Sequence, residues 1–386
     1  MTALSDLKVL DLTRLLPGPF ASLVLADLGA QVDKLEDTGM GDYMRHTAVP
    51  MAGGMSVGFQ GLNRGKRSLA LDLKHPAGVA AFKRLAKRYD VVFEQFRPGV
   101  MARLGLSHES LLEENPSLVI CALTGYGQNG PLRDRAGHDL NYLGRSGLLG
   151  LMGPLDGPPV PPSFQLADVS GGMWCIIAIL AALRERDRTG KGKIIDIGML
   201  ESVIPFAAVA LGRLLGGELP ERGNELLTGG VAPYNTYLTS DGESITLGAL
   251  EPKFLMKFCA NAGLEVDMSM LMPGPHQAAL KVRFAEVIAG RTRAEWEAFN
   301  AEHDCCIEAV LRPDELRGDA QLAARGVFFD VEAEAGSFGQ FRTPVTPREL
   351  QARPAPTQGE HTRAVLADAQ FSPEEIQALI DQGAAR

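Results

Sequence analysis

Short β-branched runs alternate with helical patterns through the first half of the chain, and this alternation restricts the possible folds more than any other feature. Val9 to Leu12, Gln31 to Leu35, Ser68 to Leu73, Asp90 to Phe93 and Leu118 to Leu123 have the length and composition of strands. Between two of them, Pro76 to Arg88 reads as an amphipathic helix. Val79, Phe82, Leu85 and Ala86 recur at helical spacing, and Lys83, Arg84, Lys87 and Arg88 take the opposite face. Strand and helix in turn predict an α/β fold, with a mostly parallel sheet covered by helices on both faces.

Further on, the Gly171-Gly172 pair is expected to lead into a long apolar helix running through Arg186 and closed by Gly190-Lys191-Gly192. Its apolar run, around Met173 to Leu183, is too short to span a bilayer and predicts a buried helix. Ile194 to Ile197 then resumes as a strand. From about Leu211 the composition changes to Gly216-Gly217, Pro220, Gly223 and Gly229-Gly230. The strand pair Tyr234 to Leu238 and Ser244 to Leu247 follows, joined by the turn Ser240-Asp241-Gly242. The expected organisation is a large domain beginning over 1–198, a linker over 199–224, a small α+β domain over 225–320, and a return to the large domain over 321–386. The return carries Pro-rich Pro344 to Pro356 and a final helix with Ser372 as cap, Pro373 first and Glu375 completing a capping box. Gly153 to Pro162 reads as a long loop close to Asp168.

With 386 residues, 45% of them hydrophobic, the chain can bury a large core and divide into two domains. A net charge of -9 with no long basic run argues against a general nucleic-acid binder, so an anionic ligand requires locally placed arginines. Cysteines at 121, 175, 259, 305 and 306 have neither zinc-site spacing nor the even number of a secreted framework, which predicts a reducing cytoplasm. Met1 to Asp6 lacks the regions of a signal peptide and Gly383 to Arg386 carries no retention or peroxisomal address. Neither a membrane partner nor a metal is expected.

Three Gly-flanked segments gather the chemistry: Gly137-His138-Asp139-Leu140-Asn141-Tyr142, Asp168-Val169-Ser170-Gly171-Gly172, and Gly248-Ala249-Leu250-Glu251-Pro252. A base, an acid and a second carboxylate can hold one carbon between two proton-transfer groups, as reversing a stereocentre beside a carbonyl demands. Asp168 is expected to cap the helix after it, with the amides of that helix start facing the ligand. Glu251 reads equally as a carboxylate favourable to a helix dipole. Among Arg64, Lys66, Arg67, Lys74, Arg97 and Arg103, Arg97 stands out because Gln95-Phe96-Arg97-Pro98-Gly99-Val100 is a strand end turning sharply, which fixes a guanidinium for phosphate or adenine. Gly125-Tyr126-Gly127-Gln128-Asn129-Gly130 spells a dinucleotide fingerprint, but Pro131-Leu132-Arg133-Asp134-Arg135 is not the apolar helix start that fingerprint needs.

Taken with Leu15-Leu16-Pro17-Gly18-Pro19, Leu28-Gly29-Ala30, Asp72-Leu73-Lys74, Phe96 to Val100, Thr124 to Gln128 and Gly359-Glu360-His361-Thr362, these segments resemble the family III CoA-transferase superfamily over nearly the whole chain. Within it, Gly137 to Tyr142 and Gly248 to Phe254 are most similar to the α-methylacyl-CoA racemases. The resemblance implies His138 and Asp168 as the proton-transfer pair, Glu251 orienting His138, and no cofactor besides the CoA of the substrate. It implies CoA contacts at Leu71, Asp72, Leu73, Lys74, Gln95, Phe96, Arg97 and Arg103, with Gly137, Asp139, Asn141 and Tyr142 closing over the thioester. Asp37 departs from the pattern, which has an arginine there. The resemblance also implies a Rossmann-like large domain built from both termini, a central small domain and an interlocked homodimer whose site joins the large domain of one chain to the small domain of its partner. Two other readings stand beside the racemase: CoA transfer through an aspartyl thioester on Asp168, and a non-catalytic acyl-CoA binding protein.

Overall fold

The computed structural model describes residues 2–47, 56–333 and 336–386. They form two compact units: Met1–Ser146, Phe164–Pro205 and Ala320–Arg386 make the first, and Gly147–Ser163 with Phe206–Asp319 the second. The loop Gly153 to Pro162 therefore groups with the second unit, whereas Asp168 lies in the first.

The first unit is built on six strands: β1 (Lys8–Asp11), β2 (Gln31–Glu36), β3 (Arg67–Ala70), β4 (Val91–Glu94), β5 (Val119–Thr124) and β6 (Lys193–Gly198). Their order is β3-β2-β1-β4-β5-β6, and every neighbouring pair is parallel. The order reverses between β1 and β4, which opens a crevice at the carboxyl ends of the strands where α/β sheets bind ligands. Side chains alternate across the sheet. Leu10, Val92 and Ile120 join Phe82 and Leu85 of the helix Pro76–Ala86 and Val365, Leu366, Ile376 and Leu379 of the helices Thr362–Asp368 and Pro373–Asp381 in one core. Helices Pro17–Asp27 and Leu166–Thr189 pack against the sheet and against each other. The capping box of Ser372 and Glu375 is present, with Pro373 in the first turn.

Several elements differ from the sequence reading for local reasons. The strand expected to reach Leu73 stops at Ala70, because Leu71 pairs with Ala385 and the Asp72 N–H donates to the Ala384 carbonyl. The Gly-flanked segment from Gly137 to Tyr142 runs into the short helix Asp139–Arg145. Helix Leu166–Thr189 begins before the glycine pair rather than after it. A Cβ on Gly172 would stand 2.6 Å from the Pro17 carbonyl oxygen, and one on Gly171 would stand 2.9 Å from Met199 Cγ. Close helix packing, not helix initiation, is what these glycines provide. The helix is long and apolar enough to cross a membrane by length and composition. Its stripe of Ala167, Ser170, Gly171, Cys175, Ile179 and Leu183 is buried within the protein.

In the second unit, β7 (Tyr234–Leu238), β8 (Ser244–Gly248) and β9 (Ile307–Ala309) form an antiparallel sheet in that order, with Gly242 at φ +79° in the β7–β8 turn. Aromatic side chains fill the space between this sheet and its helices. Phe258, Phe284, Trp296 and Phe299 stack in tilted and edge-on pairs, and the Trp296 indole N–H donates to the Ile288 carbonyl. A ribbon of β10 (Phe328–Ala333) and β11 (Gly336–Phe341) in the first unit was not foreseen.

Candidate active site

The carboxyl ends of four strands converge on a cavity of about 290 Å³ at the point where the strand order reverses. Leu15 and Pro17 follow β1, Gln95, Phe96, Arg97 and Pro98 follow β4, Thr124 and Gly125 end β5, and Met199 follows β6. Gly137, His138, Tyr142 and Asp168 form another wall, and Arg133 and Arg135 reach it from the loop between. The cavity lies wholly within the first unit.

Buried charges set the β1 wall. Leu15 adopts φ +62°, a left-handed conformation that strains a branched residue, and its N–H donates to Asp42 Oδ1 at 3.0 Å. Asp42 pairs at 2.9 Å with Lys34, whose Nζ also donates to the Thr13 carbonyl at 2.7 Å. Burial alone would lower Lys34, but the carboxylates of Asp42, Asp11 and Glu36 outweigh it and hold the ammonium above its usual value. Lys66 sits against Asp11, Ser22, Asn63 and the Pro19 carbonyl, and burial brings it down to about 7. Such a cluster is strongly destabilised by losing one member, since the remaining charge is left without a partner or water.

Asp168 is the third residue of its helix rather than the cap, which is Gln165. The helix start is satisfied from elsewhere. Asp139 Oδ1 accepts from the N–H groups of Ala167 at 2.6 Å and Asp168 at 3.0 Å. The amides expected to face a ligand are therefore occupied. Burial first, and the negative charge of Asp139 second, push the Asp168 carboxyl up to about 7. Near neutrality Asp168 can then hold or release a proton with little bias, which suits a general acid–base.

His138 is exposed at the cavity, at the N-cap position of the helix Asp139–Arg145, where it forms a capping box with Asn141. Its backbone is fixed, with the N–H donating to Asn141 Oδ1 at 3.0 Å. Tyr142 donates its hydroxyl to the Gly137 carbonyl at 2.6 Å and lies edge-on to Tyr126. Gly125 and Gly137 make room for that ring, because a Cβ on either would fall within 2.7 Å of it. Burial first and the charge of Asp168 second raise the phenol to about 12, so it remains a hydrogen-bond donor. The Gly125 to Gly130 phrase turns through Gly127 and Gly130 at positive φ, its Gln128 N–H donates to Asp196, and no helix follows before Asp139.

Of the residues singled out in the sequence, the cavity brings together His138, Asp168, Gln95, Phe96, Arg97, Gly137 and Tyr142. Asp139 and Asn141 make the backbone contacts just described. Leu71 and Leu73 are buried in the core, Asp72 Oδ1 accepts from the Lys74 N–H, and Arg103 ends the short helix Val100–Arg103; none of these lines the cavity. Glu251 belongs to the second unit, at the N-cap position of the helix Pro252–Ala262, with no hydrogen bond to its carboxylate among the described residues. Asp37, in place of the expected arginine, accepts from the Gly39 and Gly41 N–H groups and turns the chain after β2. Arg133 and Arg135 were not singled out as ligand contacts. Their only signal was a pair of basic residues in a loop, weighed as evidence against a nucleotide-binding helix.

Comparison with known proteins narrows what such a cavity serves. The model of CoA-transferase family III matches residues 4–362. The human α-methylacyl-CoA racemase is 38% identical over 385 residues, covering 98% of this chain and 96% of that protein. The succinate–glutarate CoA-transferase of Agrobacterium fabrum is 35% identical over 387 residues, covering 95% of each. A crystal structure of a CaiB/BaiF family protein from Brucella suis superposes with a TM-score of 0.83 at 30% identity, covering 95% of this chain and 99% of the other.

Proposed function

Because the chain belongs to CoA-transferase family III, we propose that it inverts C2 of 2-methyl-branched acyl-CoA thioesters by 1,1-proton transfer. His138 removes the C2 proton, the C–H electron pair delocalises into the thioester as an enolate, and protonated Asp168 returns a proton to the opposite face. The other enantiomer uses the same pair with the roles exchanged. The observation that carries this reading is an exposed imidazole sharing one cavity with a carboxyl group poised near 7. Arg97, Arg133 and Arg135 supply the local positive charge that an anionic thioester needs on a chain of net charge -9. Glu251 orients His138 from the small unit of a partner chain in an interlocked homodimer, and the reaction proceeds in a reducing cytoplasm without metal or redox cofactor.

Exchange in D₂O tests the reading. Wild-type protein is expected to incorporate deuterium at C2 from either enantiomer of a 2-methylacyl-CoA, and His138→Ala or Asp168→Asn to lose at least a hundredfold of that rate. Failure of the wild type to label any branched acyl-CoA would sink it. CoA transfer is the second reading, because no hydrogen bond to the Asp168 carboxyl exists among the described residues and the group lines the cavity, where it can act as a nucleophile. A hydroxylamine-trapped Asp168 thioester would establish transfer. A carboxyl half-protonated at neutral pH favours the proton carrier, since only the ionised form attacks.

A further inference from the structure

Asp139 stands immediately after His138, yet it does not line the cavity. Its Oδ1 takes both the Ala167 and Asp168 amides, and no hydrogen bond to its Oδ2 exists among the described residues. A carboxylate at a helix N-terminus is well placed for the helix itself. In this position, however, it also sets a fixed negative charge against the side chain that the same helix carries into the cavity. We infer that Asp139 is a positioning residue, holding the backbone of Asp168 at the cavity wall and supplying the charge against which Asp168 ionises. This inference rests on Asp168 being the reactive carboxyl of the proposed function, whichever of the two reactions it serves.

The surroundings leave Asp139 as the acidic neighbour closest in role. Around the cavity stand Arg97 after β4, Arg133, Arg135 and His138 on the outer loop, and Tyr142 on the helix Asp139–Arg145. Tyr126 follows β5, and Glu201 lies on the helix Met199–Ser202, which packs on the Asp168 helix. Helix Pro17–Asp27 offers only Asp27, already bonded to Arg64 and Thr346. The negative charge of Asp139 accompanies burial in raising Asp168.

Asp139→Asn keeps an oxygen for both amides while removing the charge, and Asp139→Ser provides a second neutral cap. The protonated-carboxyl infrared band of Asp168, isolated by subtracting the spectrum of Asp168→Asn in each background, reports its titration without any turnover. In both neutral variants the titration midpoint is expected to fall by about one pH unit, and the acid limb of kcat/KM to move the same way. Asp139→Ala should show the same shift with a lower melting temperature, because it also leaves the two amides uncapped. A midpoint unchanged in Asp139→Asn and Asp139→Ser, with native circular dichroism, overturns the inference. Because the band is read in resting protein, a shifted midpoint alongside absent C2 exchange would keep the inference and discard the racemase reading.

Discussion

At the residue scale, the property that makes Asp168 useful also makes it costly to the folded state. Its carboxyl is raised from 3.8 to about 7 by burial and by Asp139, so the native protein retains a proton that the unfolded chain has already lost. Below 3.8 both states are protonated and the group has no effect on stability. As pH rises toward 7 stability falls, and above 7 the whole penalty remains, on the order of 2–4 kcal/mol. Asp168→Asn is therefore expected to be inactive yet more resistant to urea than wild type at pH 8, with the advantage shrinking toward pH 5. Parallel urea midpoints at the two pH values would contradict this. That His138 and Asp168 line one cavity agrees with the glycine and polar residues that cluster around them in the sequence. The occupation of the helix amides by Asp139 was not legible there, since it depends on a contact between residues 28 positions apart. Arg133 and Arg135 were hidden for a similar reason: an exposed arginine in a loop looks alike in sequence whether it faces water or a cavity.

Among the elements, the helix Leu166–Thr189 connects sequence to site most directly, because it carries Asp168 at one end and must lie flush on the helix Pro17–Asp27. Gly172→Ala would gain up to about 1 kcal/mol of helix propensity but force a Cβ against the Pro17 backbone and Phe20 ring, a net loss of roughly 1–2 kcal/mol. Gly171→Ala meets Met199 Cγ at 2.9 Å and Leu123 Cδ1 at 3.3 Å, side-chain atoms rather than backbone, and should cost less, about 0–1 kcal/mol. Urea denaturation of the two variants separates the cases, and equal stabilities would show that the helices can part freely. The parallel strands could be read from β-branched runs bounded by turns, and the final helix from its cap. The glycine pair misled because Gly marks helix ends and close helix contacts alike, and only the position of Pro17 decides between them. The strand end at Ala70 was likewise invisible, being fixed by pairing with residues more than three hundred positions later.

On the scale of the whole molecule, each unit leaves apolar side chains in solvent. Ile177 of the Leu166–Thr189 helix is 52% exposed in the first unit, and Val209, Leu215 and Leu219 are 67%, 87% and 83% exposed in the second. These side chains are available to the interface of the proposed homodimer. Light scattering is expected to give twice the 41.4 kDa chain mass, and exchange activity to vanish with any monomer produced by dilution; a fully active monomer would rule out a shared site. The charge cluster beneath Leu15 has a further reach. Lys34 pairs with Asp42 and Lys66 with Asp11 out of reach of water, and a strained turn of the cavity wall hangs from Asp42. The mouth of the site thus depends on ion pairs of the interior, and replacing the single ionic side chain Lys34 on β2 can reshape the opening without touching any residue a ligand would meet.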